Sequence, residues 1–248
     1  MMKQHLLSPA DDPLMIWQLG DPESCTLTYL VVHRACRDAF LFDPVLEQTQ
    51  VYLAFLADHD IHLLMAVDTH THADHVTALL ALRQATGCQV ARHDGLEIPP
   101  CVTRKLADHD LLRCGCGGLE IKVWHTPGHT ADSCCFVIPG SPQHVLTGDT
   151  LFIEGTGRTD LPSGDAHQQS ESLLRLMTMD DATVVLPGHD YRNRSTTTIG
   201  HERVCNPRLQ VLQQQGAVAY VELMDALHLP PPRLMEMALQ RNSRCGAP

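Results

Sequence analysis

The stretch VDTHTHADH, Val67 to His75, sets His70, His72 and His75 beside Asp68 and Asp74 immediately after the apolar run Leu63-Leu64-Met65-Ala66. The run HLLMAVD reads as a buried strand, and a strand that ends in imidazoles and carboxylates delivers polar groups to a sheet edge. His70 and His72 are two residues apart, so an extended backbone points both to one side, where a single ion can meet them. Neutral imidazole and carboxylate donors suit divalent zinc or iron. Asp74 and His75 are read as opening a helix that runs from about Asp74 to Thr86 and stops at Gly87. There Asp74 serves equally as a cap for free backbone N–H groups, so ligand and cap both stay open.

Three later apolar runs also break into turns that deliver one such side chain each: VWHTPGHT with His129, VLTGDT with Asp149 and VVLPGHDY with His189. Singly, each has an ordinary explanation as a turn histidine or a capping aspartate. Together with the first cluster they describe loops at the ends of strands that converge on one site.

Around these loops the chain alternates strand and helix patterns. LMIWQLG, TLTYLVVH and AFLFDP read as strands, followed by a helix over Glu47–Asp58 with Val51, Phe55 and Leu56 on one face. LEIKVW, CCFVI, HVLTGD and ATVVLPG are further strands, and HQQSESLLRLM and AVAYVELMDALHL are helices. The expected architecture is a layered α/β domain with sheets inside and helices outside. It occupies residues 1–248 as one domain with a short C-terminal tail, about 207–248.

The 248 residues, 44% hydrophobic, suffice for a sizeable core. Eighteen basic against 29 acidic residues give a formal charge of -11, which argues against a broad nucleic-acid surface. The N-terminus matches neither a secretory signal nor a transit peptide, and no apolar run reaches membrane-spanning length, so a cytoplasmic protein without a membrane partner is expected. Ten cysteines in a chain of this length read as free thiols. CGCGG at Cys114–Gly118 and the pair Cys134-Cys135 lack the C-x-x-C spacing of a zinc knuckle; the latter read as buried strand thiols. Histidines outside the motifs, including His59, His62, His93 and His109, read as surface groups.

The set H-x-H-x-D-H, TPGHT, TGD and PGHDY resembles the metallo-β-lactamase superfamily, whose fold is a four-layer αβ/βα sandwich. GTGRTDLPSGDA from Gly155, HDYRNRSTTTIGHERVCNPRL from His189 and the tail LHLPPPRLMEMALQRNSRCG narrow the likeness to the persulfide dioxygenase (sulfur dioxygenase) family. By that resemblance His70, His129 and Asp149 are ligands of one Fe(II), a two-histidine, one-carboxylate triad that leaves positions for O2 and substrate. His72, Asp74, His75 and His189 support them or hold a second metal. The implied reaction oxidises glutathione persulfide with O2 to sulfite and glutathione.

Glutathione carries two carboxylates, so basic or hydrogen-bonding groups must receive it. Arg158 and Tyr191 match the family's substrate-contact region, whereas Arg192 and Arg194 read as surface charges and Arg208 as a structural group holding the tail. The alternative activity is a zinc-dependent thioester hydrolase of the glyoxalase II type. The expectation prefers the dioxygenase because only 41 residues follow Pro207 here, against a longer glutathione-binding C-terminal domain in that rival. A histidine-rich storage protein accounts for the histidine count but not for its spacing. The oligomeric state is left open, with a homodimer among the options.

Overall fold

The computed structural model describes residues 3–96, 99–191 and 194–248. The chain divides into two compact units, the first comprising Met1–Leu106, Leu111–Glu120 and Pro231–Pro248, the second Ala107–Asp110 and Ile121–Pro230.

In the first unit, strands β1 (Lys3–Leu6), β2 (Leu14–Gly20), β3 (Leu27–His33), β4 (Asp38–Phe42), β5 (His62–Val67), β6 (Gln89–His93) and β7 (Arg104–Leu106) lie side by side in chain order. The pairs from β1 to β4 are antiparallel and those from β4 to β7 parallel. The change of direction has a sequence cause. LTYLVVH and DAFLF are joined by a tight turn, whereas β4 and β5 are connected through helix α1 (Thr49–Asp58). β3 is buried on both faces except at its last residue, which explains its unbroken apolar run.

Helix α1 buries Tyr52, Phe55 and Leu56 against this sheet, while Val51, expected on the same face, is 36% exposed. Helix α2 spans only Leu79–Thr86; Gly87, at φ 76°, ends it in the left-handed conformation that glycine adopts without steric cost. The expected start at Asp74 is therefore corrected. Residues 71–78 form an irregular loop, the N-cap is Ala78 without a side-chain cap, and Asp74 bonds Thr26 and His75 instead.

A second sheet has the order β13-β12-β11-β10-β9-β8, from β8 (Leu111–Arg113), β9 (Glu120–His125), β10 (Cys134–Ile138), β11 (His144–Gly148), β12 (Val184–Pro187) and β13 (Thr197–Thr198). β11 and β12 run parallel, joined through helix α3 (Ala166–Leu176). Asp165 caps α3, accepting from the N–H groups of His167 (2.8 Å) and Gln168 (3.0 Å). Helix α4 (Ile199–Cys205) was not read from the sequence. Helix α5 (Pro207–Asp225) begins ten residues before the expected AVAYVELMDALHL, because Asn206 caps it and Pro207 takes its first turn; Gly216, at φ 87°, kinks it.

The tail does not behave as one piece. α5 packs in the second unit's core through Leu209, Leu212, Tyr220 and Met224, whereas helix α6 (Met235–Asn242) belongs to the first unit. There Cys245 is disulfide-bonded to Cys101, which corrects the reading of all ten cysteines as free. A separation of 144 residues leaves no spacing signal; the fold alone brings the two together. His93, read as a surface group, is only 9% exposed. Among the described residues, no helix is long and apolar enough to cross a membrane.

Candidate metal centre

Two carboxyl groups at strand ends, Asp43 and Asp68, anchor the first cluster. Phe42 pairs with Val67 across parallel β4 and β5, so Asp43 and Asp68 follow the carboxyl ends of neighbouring strands. Asp43 accepts the backbone N–H of Thr69 (2.6 Å), the Thr69 hydroxyl (3.0 Å) and the Nε2 proton of His72 (3.0 Å). Asp68 accepts the Thr77 hydroxyl at 2.8 Å and lies 4.0 Å from the Arg92 guanidinium.

These bonds fix tautomers. Because the Thr69 hydroxyl donates to Asp43, it can only accept from His70 Nδ1 at 2.9 Å, so His70 keeps its lone pair on Nε2. His72 donates through Nε2, and its buried Nδ1 has no hydrogen-bond partner. His75 uses Nδ1 toward Asp74 (3.0 Å) and Thr26 (3.2 Å), leaving buried Nε2 without a hydrogen-bond partner. A buried polar atom without a partner costs about 1–3 kcal/mol, and a divalent cation removes that cost. Burial works against charge on His72, yet Asp43, Asp68 and Asp74 outweigh it and push the imidazole up to about 10. The loop is thus an environment that favours positive charge, and His72, Asp74 and His75 offer ligand atoms within 4.8 Å of one another.

The same loop is held from behind by α6. Asn242, 1% exposed, donates to the carbonyls of His72 and His75 (both 2.9 Å) and accepts the Thr77 N–H (2.9 Å), while its own carbonyl takes Arg92 (3.0 Å). Nothing in the sequence singled out Asn242, because its partners lie 150 to 170 residues away.

The second unit assembles the remaining three side chains. His129 donates from Nδ1 to the Arg158 carbonyl (2.7 Å), so its lone pair sits on Nε2, 3.6 Å from Asp149 Oδ2. His189 Nε2 lies 3.5 Å from Asp149 Oδ1, a buried oxygen without a hydrogen-bond partner. Glycines make this crowding possible. A Cβ on Gly157 would sit 2.1 Å from the Asp149 carbonyl oxygen and 2.9 Å from His129 Nδ1; on Gly188 it would sit 2.6 Å from Asp149 Oδ1. Gly128, at φ 140°, lets the TPGHT turn lie against the backbone of Gln169 on α3. Gly157 of the GTGR motif and Gly188 of the PGHD motif are therefore close-approach positions around Asp149.

The Arg158 side chain is bonded within the protein. Its guanidinium holds Asp160 in two bonds (2.5 and 2.7 Å) and the carbonyls of Leu229 and Pro230 (2.9 and 2.7 Å), so it is committed to the protein, and its carbonyl orients His129. Tyr191 is 67% exposed and stacks on His189, ring centroids 5.2 Å apart and 15° from parallel. Arg194 is a surface group paired with Glu154, and Arg192 lies outside the described residues. Arg208 binds the carbonyl and hydroxyl of Thr156, so it secures the GTGR loop. Cys134 and Cys135 are buried strand thiols, and burial pushes Cys135 up to about 11.

Two mixed sheets with helices carry loops that present tautomer-fixed histidines beside carboxylates, a candidate metal centre. A family model described as the metallo-beta-lactamase superfamily matches residues 25–189. The bovine protein named persulfide dioxygenase ETHE1, mitochondrial, is 36% identical over 249 residues, 99% of this chain and 93% of that protein. Its human counterpart is 35% identical over 94% of this chain and 89% of its own length. The crystal structure of ETHE1 from Myxococcus xanthus matches with a TM-score of 0.86 at 40% identity, covering 94% of this chain and 99% of that one. The chain belongs to the metallo-β-lactamase superfamily and, within it, to the persulfide dioxygenase family.

Proposed function

We propose that the chain is an Fe(II)-dependent dioxygenase that oxidises glutathione persulfide with O2 to sulfite and glutathione, with His70, His129 and Asp149 as the ligands of one ion. The observation that carries this reading is the set of buried ligand-type atoms at the motif positions, with tautomers fixed so that the lone pairs of His70 and His129 fall on Nε2. When bound, the iron supplies coordination positions for a soft sulfur anion and for O2. The overall step balances as one persulfide anion, one O2 and one water giving one glutathione thiol and one hydrogensulfite, with O2 accepting the four electrons that sulfur loses.

The chain's own groups hold and orient. Thr69 and the Arg158 carbonyl fix the two imidazoles through Nδ1, as partners behind metal-bound histidines commonly do. Asp43 and Asp68 place buried carboxyl groups behind the loop. In this reading Tyr191 is the group that meets the thiol carrier, and Arg158 positions His129 rather than touching substrate. The unpartnered His72 Nδ1 and His75 Nε2 favour a second reading, a two-metal thioester hydrolase in which these atoms also bind metal.

Comparing O2 uptake on glutathione persulfide with hydrolysis of S-lactoylglutathione tests the choice. The proposal expects O2 loss and sulfite release with the persulfide and slow thioester cleavage. Rapid thioester cleavage without O2 uptake would move the assignment to the hydrolase.

A further inference from the structure

We propose that His33, Cys36, Cys114 and Cys116 form a second metal site, a Cys3His centre for zinc, separate from the catalytic cluster. The four side chains offer ligand atoms that all lie within 4.8 Å of one another. His33 Nδ1 is 3.0 Å from Cys36 Sγ and 3.3 Å from Cys116 Sγ; Cys116 Sγ is 2.6 Å from Cys36 Sγ and 3.2 Å from Cys114 Sγ. Three thiols and one imidazole are the donor set and the count of a closed, tetrahedral structural zinc site.

Two turns build the cluster. One joins β3 to β4: His33 ends the strand, Arg37 N–H bonds the His33 carbonyl at 2.8 Å, and Cys36 lies between them. The Cys36 N–H points to His33 Nδ1 at 3.4 Å, which marks that nitrogen as the lone-pair side of the ring facing the sulfurs. The other turn follows β8, where CGCGG closes on itself through Gly117 N–H to the Cys114 carbonyl (3.1 Å), with Gly117 at φ 73°. Leu119 N–H donates to Cys114 Sγ (3.2 Å), a bond that supports the thiolate form of a ligand. Asp38 ties the turns together by accepting Gly115 N–H at 3.0 Å. Gly118 must be glycine for His33 to fit, since a Cβ there would fall 2.4 Å from His33 Nε2.

The H-x-x-C and C-x-C pairs sit 78 residues apart, so C-x-x-C spacing, the usual pointer to zinc, is absent and the site emerges only when the two turns meet. With Zn–S of about 2.3 Å, tetrahedral sulfurs stand roughly 3.8 Å apart. The closest pair, Cys36 and Cys116, therefore has to part by about 1 Å, which the exposed Cys116 side chain permits.

The test is metal substitution on the whole protein. Purified protein stripped with chelator under reducing conditions is loaded with Co(II) and its near-ultraviolet absorption recorded; zinc and iron are counted in protein as isolated. The catalytic cluster contains no cysteine, so thiolate-to-cobalt charge transfer reports the second site alone. Expected are that absorption and one zinc per chain beyond the catalytic metal. In Cys36→Ser/Cys116→Ser both should vanish, with iron content and persulfide oxidation within about twofold of wild type. Cys116→His should retain the zinc, which guards against a variant that merely misfolds. Absence of thiolate-to-cobalt absorption in wild type, or zinc unchanged in the double variant, would overturn the proposal. So would a Cys36–Cys116 disulfide found by mass spectrometry in protein that takes up no cobalt at these thiols after reduction.

Discussion

Asp149 stands between His129 and His189 and is the only carboxylate of the proposed triad, so Asp149→Ala is expected to lose metal and activity together. His189→Ala should be milder, with a loss of about 10- to 100-fold, if His189 only steadies the carboxylate. Equal metal loss in both variants would make His189 a ligand and favour the two-metal hydrolase. Arg158 leads to a prediction opposite to the one its sequence context suggests. Its charge lies beside Asp160 and under the Leu229 and Pro230 carbonyls, so Arg158→Ala should lower stability by about 1–2 kcal/mol, discounted for the partly exposed pair, and leave KM within about twofold. A tenfold rise in KM with an unchanged melting temperature would return Arg158 to the substrate. The partners of this guanidinium include a segment 71 to 72 residues downstream, which spacing cannot reveal.

At the scale of elements, two end effects are open to measurement. The Asp165 carboxylate caps α3, and hydrogen bonds from the Gln168 and His167 N–H groups, against some desolvation, hold it below the usual aspartate range. A folded-state value below the unfolded one means that the cap contributes fully above about pH 4 and is lost as pH falls through the lowered value. Asp165→Ala should therefore cost about 1 kcal/mol at neutral pH, and less in strong acid, by chemical denaturation at several pH values. An equal deficit at all pH values would show that the carboxylate's charge is not what caps the helix. Asn242 on α6 makes the second case. Asn242→Ala strips partners from two carbonyls and one N–H in the histidine loop, so iron retained after dialysis should fall by tenfold or more. Asn242→Asp, which keeps the acceptor but loses the donors, should fall between. Wild-type iron retention in both would reduce α6 to a packing element. Strand positions were legible because buried strands concentrate β-branched and apolar residues. Helix starts were less so: Asp74 looked like a cap, but its carboxylate is engaged by Thr26 and His75, and α5, read from Ala217, begins at Pro207 under the Asn206 cap.

Over the whole molecule, the order of motifs along the chain made the fold class readable, since each strand-loop pair that ends in a histidine or aspartate recurs in the structure where it was expected. What remained hidden depends on long-range closure: the Asp43 carboxylate bonded to Thr69 and His72, the Cys101–Cys245 disulfide, and the return of residues 231–248 to the first unit. None of these leaves a periodicity or a short spacing. The central claim is that one iron bound by His70, His129 and Asp149 oxidises a persulfide with O2, and occupancy titration tests it most directly. Metal-free protein is loaded anaerobically with increasing Fe(II), or with Zn(II) in parallel, and sulfite formed and O2 consumed on glutathione persulfide are measured together. The account predicts sulfite and O2 in a one-to-one ratio, rising in proportion to iron up to one catalytic equivalent per chain, with no O2 consumption in the zinc series. Turnover that follows zinc, or sulfite that does not track O2, would contradict it.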